Sequence, residues 1–289
     1  MTKSDSPLTV DRSDAPCVLI TGASSGIGHA SARRFAARGW RVWASMRRPE
    51  VGEALRTEAR DKGWSLQTPA LDVTSDASVA DAVSSVLSTT GGRLDLLLNN
   101  AGYFSYGVWE ESTPDELRAQ FETNVVGAHR VARAVLPAMR ARRQGRIVFI
   151  GSISGLVALP VTGPYHASKW AIEAMAESLR YEVRALGVDV VLIEPGPFKT
   201  ALHANERAAA AAGNANSPYA GLHGAYEKQA RALPRAELDQ LLATIERAST
   251  QKRPALRWPV GPKAFSAAYL RRFAPDWLYE LVVRLAFRT

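Results

Sequence analysis

The stretch Cys17-Val-Leu-Ile-Thr21-Gly-Ala-Ser-Ser-Gly-Ile-Gly28 decides how the rest of the chain is read. An apolar run passes straight into a glycine turn. Behind the turn, Gly26–Arg38 carries Ile27, Ala30, Phe35 and Ala36 on one helical face. The pattern predicts a buried strand, a tight turn and an amphipathic helix, in that order. Glycines in such a turn let backbone N–H groups approach a pyrophosphate closely, and the positive end of the helix faces it. The turn spans Gly22, Ser24, Gly26, Ile27 and Gly28. The spacing is G-x-x-x-G-x-G, and its strength as a phosphate signal comes from its place between first strand and first helix.

Outward from there the alternation repeats. Arg41-Val-Trp-Ala-Ser45, Leu94-Asp-Leu-Leu-Leu98, Arg146-Ile-Val-Phe-Ile150 and Val188-Asp-Val-Val-Leu-Ile193 are short apolar runs, with Trp64–Leu71 a weaker one. Continuous runs of this kind predict strands buried on both faces, as in a parallel sheet. Helical patterns lie at Val79–Leu87, Pro114–Arg143 and Pro164–Leu186, and Thr113-Pro-Asp-Glu116 reads as a cap with proline in the first turn. The expected fold is α/β, a doubly wound parallel sheet with its crevice at the strand carboxyl ends. After Pro195 the rhythm changes. Residues 199–255 are helix- and Ala-rich and are expected to form a helical insertion that covers the crevice. Ala255-Leu-Arg-Trp-Pro-Val260 is a further strand, and 262–289 are C-terminal helices. Residues 1–14 read as a polar, flexible tail, which leaves 15–289 as one domain.

Composition narrows the classes. The 289 residues are 46% hydrophobic and 22% charged, which excludes a wholly disordered or fibrous chain. A single Cys excludes an internal disulfide framework and an all-Cys metal site, and it fits a reducing, cytoplasmic setting. The start carries acids and no apolar core, so it is not a signal peptide, and no window approaches 18 uninterrupted apolar residues. His29, His129, His203 and His223 show no ligand spacing with one another, so no metal is expected. The net charge of +8 is spread out; its densest group is Arg140, Arg142, Arg143 and Arg146. That is read as a solvated basic surface, and no nucleic-acid partner is expected.

The second strand ends Ala44-Ser-Met-Arg47-Arg48, with no carboxylate before Glu50. An acid there would hold a ribose 2′-OH and repel a 2′-phosphate, whereas Arg accepts the phosphate. Ser45, Arg47 and Arg48 are phosphate candidates, and NADP(H) is expected over NAD(H). The alternative is two surface arginines opening a helix. Tyr165 and Lys169, at i and i+4, share a helix face. A phenol titrates near pH 10, and a neighbouring ammonium together with an oxidised nicotinamide ring favours the phenolate. Ser152 stands thirteen residues before Tyr165 at a strand end, where its hydroxyl can hold a substrate oxygen. Asn99-Asn-Ala-Gly102 closes another strand, with amides suited to tying the turn. Asn124 is a poor mid-helix residue, which suggests a kink or polar relay.

In this order on a βα chain, T-G-x-x-x-G-I-G, N-N-A-G, Asn, Ser, Y-x-x-x-K and P-G-x-x-x-T resemble the short-chain dehydrogenase/reductase family, in its single-domain branch with the Rossmann arrangement. The resemblance covers roughly residues 15–200. It implies an oxidoreductase that moves hydride between a nicotinamide cofactor and a carbonyl or alcohol. Tyr165 would be general acid/base, Lys169 would lower its pKa and bind ribose, Ser152 would polarise the substrate oxygen, and Asn124 would hold a relay water. Asp72 and Val73 match the adenine contact, and Asn99 and Gly102 the adenosine side. Pro195, Gly196, Phe198 and Thr200 match the nicotinamide loop, though a small aliphatic is common where Phe198 stands. Arg47 matches the basic position of NADP-preferring members. The A-S-M-R strand end and the long segment after Thr200 are similar to NADP-dependent 17β-hydroxysteroid and retinol dehydrogenases. A lyase or isomerase of the superfamily and a non-catalytic NADP sensor are the rivals; the intact Asn, Ser, Tyr and Lys set argues against both.

Several features stay bland. Cys17 reads as a small buried hydrophobe, and His166 as lining or structural. Tyr103, Phe104, Tyr106 and Trp109, with Leu156, Val157, Leu159 and Val161, suggest an apolar substrate, with loop packing the alternative. Pro275–Phe287 is expected to pack on its own domain or a partner subunit rather than a membrane. The small residues of Pro164–Leu186 allow close helix approach, and the resemblance implies a homodimer or homotetramer formed through it.

Overall fold

The computed structural model describes the chain except residues 1–13, 200–206, 211, 213, 215, 263, 265, 267–270, 272 and 288–289. The expected tail and Thr200 therefore lie outside the described residues, Asp14 excepted. The central sheet runs β3-β2-β1-β4-β6-β7-β9 and every pairing in it is parallel. Its strands are β1 Cys17–Ile20, β2 Arg41–Ala44, β3 Leu66–Gln67, β4 Leu96–Asn99, β6 Gly145–Ile150, β7 Val188–Pro195 and β9 Arg257–Val260. A small pair, β5 Ser105–Tyr106 and β8 Arg207–Ala208, stands apart. Strand order reverses between β1 and β4, so the crevice opens over their carboxyl ends.

Side chains of a strand point alternately to the two faces. Cys17 and Leu19 enter one core with Val83, Val131 and Ile172, from α3 Asp76–Thr89, α5 Gly127–Ala141 and α6 Gly163–Val183. Val18 and Ile20 enter the other with Phe35, Leu55 and Ile245, from α1 Gly26–Ala37, α2 Glu53–Asp61 and α8 Leu238–Thr250. Each fully buried side chain of this size contributes about 1.5–3 kcal/mol, which is why continuous apolar runs mark the strands.

The structure departs from the sequence reading at identifiable places. Pro114–Arg143 is interrupted: α4 Pro114–Phe121, a π turn at Glu122–Val126, then α5. The segment 199–255 divides. Its helix α7 Ala220–Ala232 faces the crevice, whereas α8 packs on α1 through Leu241, Ile245 and Ala248. The basic cluster is largely used within the chain. Arg146 bonds Asp189 at 2.7 Å, Arg142 lies 3.5 Å from Asp95, and Arg143 donates to the Ala185 carbonyl. α9 Asp276–Phe287 closes the chain.

Candidate active site

A cavity of about 830 Å³ runs from the glycine turn to Tyr165 over the carboxyl ends of β1, β4, β6 and β7. Gly22 and Gly26 hold left-handed φ of +66° and +57°. A Cβ on Gly22 would lie 2.8 Å from the Ala101 Cα, so only glycine fits there. Gly22, Ser24, Gly26 and Ile27 line the cavity at the start of α1; Gly28 lies beneath, with a Cβ position 2.6 Å from the Asn100 amide nitrogen. This open backbone at a helix N-terminus is shaped for a pyrophosphate.

Two adjacent asparagines divide the work. Asn100 lines the cavity and ties the turn: its amide donates to the Thr21 and Gly22 carbonyls at 2.8 and 3.2 Å. Asn99 is turned the other way, buried, and donates to the Ala128 carbonyl at 2.7 Å. One step along a strand exchanges the faces, so the adjacent residues of N-N-A-G part company. Ser45 does not reach the cavity either. It is buried and donates to the Ile20 carbonyl at 2.9 Å, which corrects the expectation that it holds phosphate. Arg47 lines the cavity and is exposed; Arg48 is exposed and off its wall. Asp72 and Val73 line it, and the Asp72 carboxylate accepts from the Thr74 N–H at 2.9 Å, fixing that loop.

At the other end, Ser152 and Tyr165 face each other and their hydroxyls are hydrogen-bonded. Ser152 also accepts from the Ser154 N–H at 3.1 Å, which sets its rotamer. Lys169 lies one turn along α6, its Nζ 5.7 Å from the Tyr165 ring centroid, and donates to the Ile150 carbonyl at 2.9 Å. Burial pushes Tyr165 up to about 12, with the Ser152 hydrogen bond acting downward. Burial likewise pushes Lys169 down to about 8, against the pull of Glu173. The low-polarity surroundings disfavour either charge, and this outweighs the pairwise help.

Asn124 sits in the π turn, buried and off the cavity wall. It exchanges hydrogen bonds with both backbone groups of Tyr103 at 3.0 Å and donates to Ser168 at 3.3 Å. Ser168 in turn donates to the Tyr165 carbonyl at 2.7 Å, so the π turn is stitched to α6 beneath Tyr165. Ser168 was not singled out from sequence, although it lies inside the Y-x-x-x-K stretch. Gly102 lines the cavity beside Asn124. Pro195, Gly196 and Phe198 line the far wall, with Phe198 bridged to Ala236.

The end of the cavity beyond Tyr165 is aromatic and apolar. Phe104 packs edge-on to Tyr165 at 4.7 Å, and Tyr106 stacks on Tyr226 of α7 at 5.8 Å. Tyr103, Phe104, Val157 and Leu159 line the cavity as expected, whereas Trp109 is exposed and Leu156 and Val161 are off the wall. α9 closes it with Val283 and Phe287, and the Tyr279 hydroxyl donates to the Ala158 carbonyl at 2.8 Å. His166 lines it too, its Nδ1 2.8 Å from the Ser154 carbonyl. No sequence signal marked Tyr226, because only the fold brings α7 here. Among the described residues no helix is long and apolar enough to cross a membrane, and no metal-binding cluster is present.

A parallel sheet that meets a glycine-turn cradle and a Ser–Tyr–Lys set at one crevice defines a nucleotide-binding oxidoreductase. The chain belongs to the short chain dehydrogenase family, whose model matches residues 16–211. It is 32% identical to the 3-ketodihydrosphingosine reductase of Bacteroides thetaiotaomicron, over 93% of this chain and 97% of that one. It is 30% identical to the NADPH-dependent 3-dehydrocapnine reductase of Ornithobacterium rhinotracheale, over 91% and 94%. Human 17-beta-hydroxysteroid dehydrogenase type 1 is 41% identical over 64% of this chain and 57% of its own. A short-chain dehydrogenase from Streptomyces avermitilis superposes with a TM-score of 0.82 at 32% identity, over 98% and 97% of the two chains.

Proposed function

We propose that this protein is an NADP(H)-dependent oxidoreductase that interconverts a carbonyl and a secondary alcohol on an apolar substrate. One observation carries the reading: a single cavity joins the glycine cradle at α1 to the hydrogen-bonded Ser152–Tyr165 pair. The cradle and the open wall at Arg47, Asp72 and Val73 fit a dinucleotide, and Arg47 would be the cation that meets a 2′-phosphate. Gly22, Ser24, Gly26 and Ile27 would hold the pyrophosphate, Gly102 and Asn100 the adenosine side, and Pro195, Gly196, Phe198 and Thr200 the nicotinamide end. NADP(H), when bound, supplies or takes up the hydride.

Ser152 Oγ would hold the substrate oxygen, and Tyr165 Oη would give it a proton in reduction or take one in oxidation. A buried neutral phenol is the correct form for giving the proton. Lys169, held on the same helix face, would bind the nicotinamide ribose and, as a cation, ease loss of the phenolic proton in oxidation. Asn124 and Ser168 would keep the π turn and α6 in register. Residues 15–289 would act as one unit, with α7 and α9 screening the reaction from water. The exposed face of α6, with Trp170 and Tyr181, would serve a homodimer or homotetramer in the cytoplasm. The reductases that match nearly the full chain make long-chain ketones such as 3-ketodihydrosphingosine the first substrates to try.

The test is fluorescence titration of NADPH and NADH into the wild type and Tyr165→Phe, followed by turnover with a carbonyl panel. Tighter NADPH binding to both forms is expected, with turnover lost by roughly 10²-fold or more in the variant. NADH preference would overturn the role of Arg47. Near-wild-type turnover of Tyr165→Phe would overturn the catalytic assignment.

A further inference from the structure

Behind the catalytic helix lies a cluster that this reaction does not consume. Glu173 stands one turn after Lys169 on α6, Glu194 is the residue of β7 just before Pro195, and Arg257 lies on β9. Arg257 Nε is 3.0 Å from Glu173 Oε2 and 3.5 Å from Glu194 Oε1, and its Nη2 is 2.8 Å from Glu177. The side chains of Glu173 and Glu194 are only 8% and 2% exposed, whereas Glu177 is 42% exposed. Oε1 of each buried carboxyl has no hydrogen-bond partner among the described residues. The Glu173 stem also seats the Ser152 turn: a Cβ on Gly155 would lie 2.9 Å from Glu173 Cγ.

At ion-pair distance the two buried carboxylates share one arginine, which leaves a negative charge in excess there: Glu177 is solvated at the surface, and Lys169 faces them from beyond ion-pair range. A proton between them removes that excess and turns one carboxyl into a donor for the other. We propose that Glu173, Glu194 and Arg257 are a positioning cluster that, through a proton held between the two carboxyls, locks α6 and the Ser152 turn to the strand entering the Pro195–Phe198 loop. The proposal rests on the reading of Tyr165 and Lys169 as the reacting pair. The cluster sets the distance between the helix carrying those residues and the loop at the nicotinamide end.

The charged groups facing the two carboxyls are Lys169 and Glu177 from α6 and Arg257 from β9; the Ser152–Gly155 turn presents none. Burial, followed by the charge of Glu173, pushes Glu194 up to about 8, and burial raises Glu173 also. A carboxyl raised in the folded state stabilises fully below its ordinary 4.5, and that stabilisation is lost as pH rises through about 8. Above that pH the like charges repel, and the end of β7 is pushed away from α6.

The experiment is the unfolding midpoint of the full-length chain between about pH 6 and 9, for wild type, Glu194→Gln and Arg257→Met, with kcat, KM and the NADPH Kd measured alongside. The wild-type midpoint falls on the alkaline side, and Glu194→Gln, neutral at every pH and close in shape, flattens that fall. The wild-type kcat falls along the same limb, and in the Gln variant that fall is shallower, what remains being the titration of Lys169. Arg257→Met cuts kcat roughly tenfold or more while the NADPH Kd moves less than about twofold. Should Glu194→Gln not fold, Glu173→Gln carries the same expectation. An unchanged alkaline slope in the Gln variant, or an undiminished kcat in Arg257→Met, overturns the proposal. The midpoint needs no turnover, so its result is independent of the outcome with Tyr165→Phe.

Discussion

Gly196 shows how much of this site is decided by single backbone positions. Its N–H donates to the Val260 carbonyl at 2.8 Å, and a Cβ there would stand 2.2 Å from the Pro262 carbonyl oxygen. Neither partner is a flexible side-chain end. Gly196→Ala is therefore expected to cost about 1–3 kcal/mol, as overpacking does, and to weaken NADPH binding together with stability. Urea unfolding and the NADPH titration check this, and a variant as stable as the parent would show that the Pro195–Phe198 loop yields. Strain gathers nearby at Val161, a β-branched residue at φ +70° four positions before Tyr165. Such a conformation costs of order 1–3 kcal/mol and persists only where its surroundings enforce it. Here the Val161 carbonyl accepts from the Gly107 N–H at 2.6 Å.

Among the elements, α4 was legible at its start and illegible at its end. Thr113 accepts from the Glu116 N–H at 3.2 Å, and Glu116 accepts in return from the Thr113 N–H at 2.8 Å. That capping box depends on four consecutive residues, so the sequence carries it whole. Thr113→Ala is expected to lower stability by about 1 kcal/mol without altering cofactor affinity; thermal unfolding and the fluorescence titration read both. The π turn that follows depends instead on what Asn124 meets across the fold, the Tyr103 backbone and Ser168. A polar mid-helix residue suggested a kink there, and only its partners define the form. α2 escaped the reading for a different reason: of its nine residues only Leu55 and Ala59 are buried, too few to make a stripe.

For the whole molecule, the apolar end of the cavity is assembled from parts far apart in sequence. Val283 and Phe287 of α9 close a cavity whose opposite walls come from Phe104, Val157 and Tyr226. Burying each such side chain against an apolar ligand is worth about 1.5–3 kcal/mol. Val283→Ala combined with Phe287→Ala is therefore expected to raise KM for a long-chain ketone roughly tenfold or more, leaving the NADPH Kd near wild type. Steady-state kinetics on short and long ketones test it: an unchanged preference for the long ketone would remove α9 from the substrate wall.

The sequence by itself determined the strands of the central sheet and its crevice end, though not the small pair β5 and β8. A doubly buried strand must be a continuous apolar run, and a phosphate cradle must place glycines between a strand and a helix. It also marked Ser152, Tyr165 and Lys169, because strand ends and helical spacing are local properties. Tertiary structure alone decided which asparagine of Asn99–Asn100 faces the cavity, that Ser45 turns inward, and that α7 and α9 rather than α8 cover the site. It also decided that burial raises the Tyr165 phenol against the Ser152 hydrogen bond, and that Glu173, Glu194 and Arg257 meet. Each of these depends on the surroundings of a side chain, and desolvation and packing are set by neighbours that the order of residues along the chain does not name.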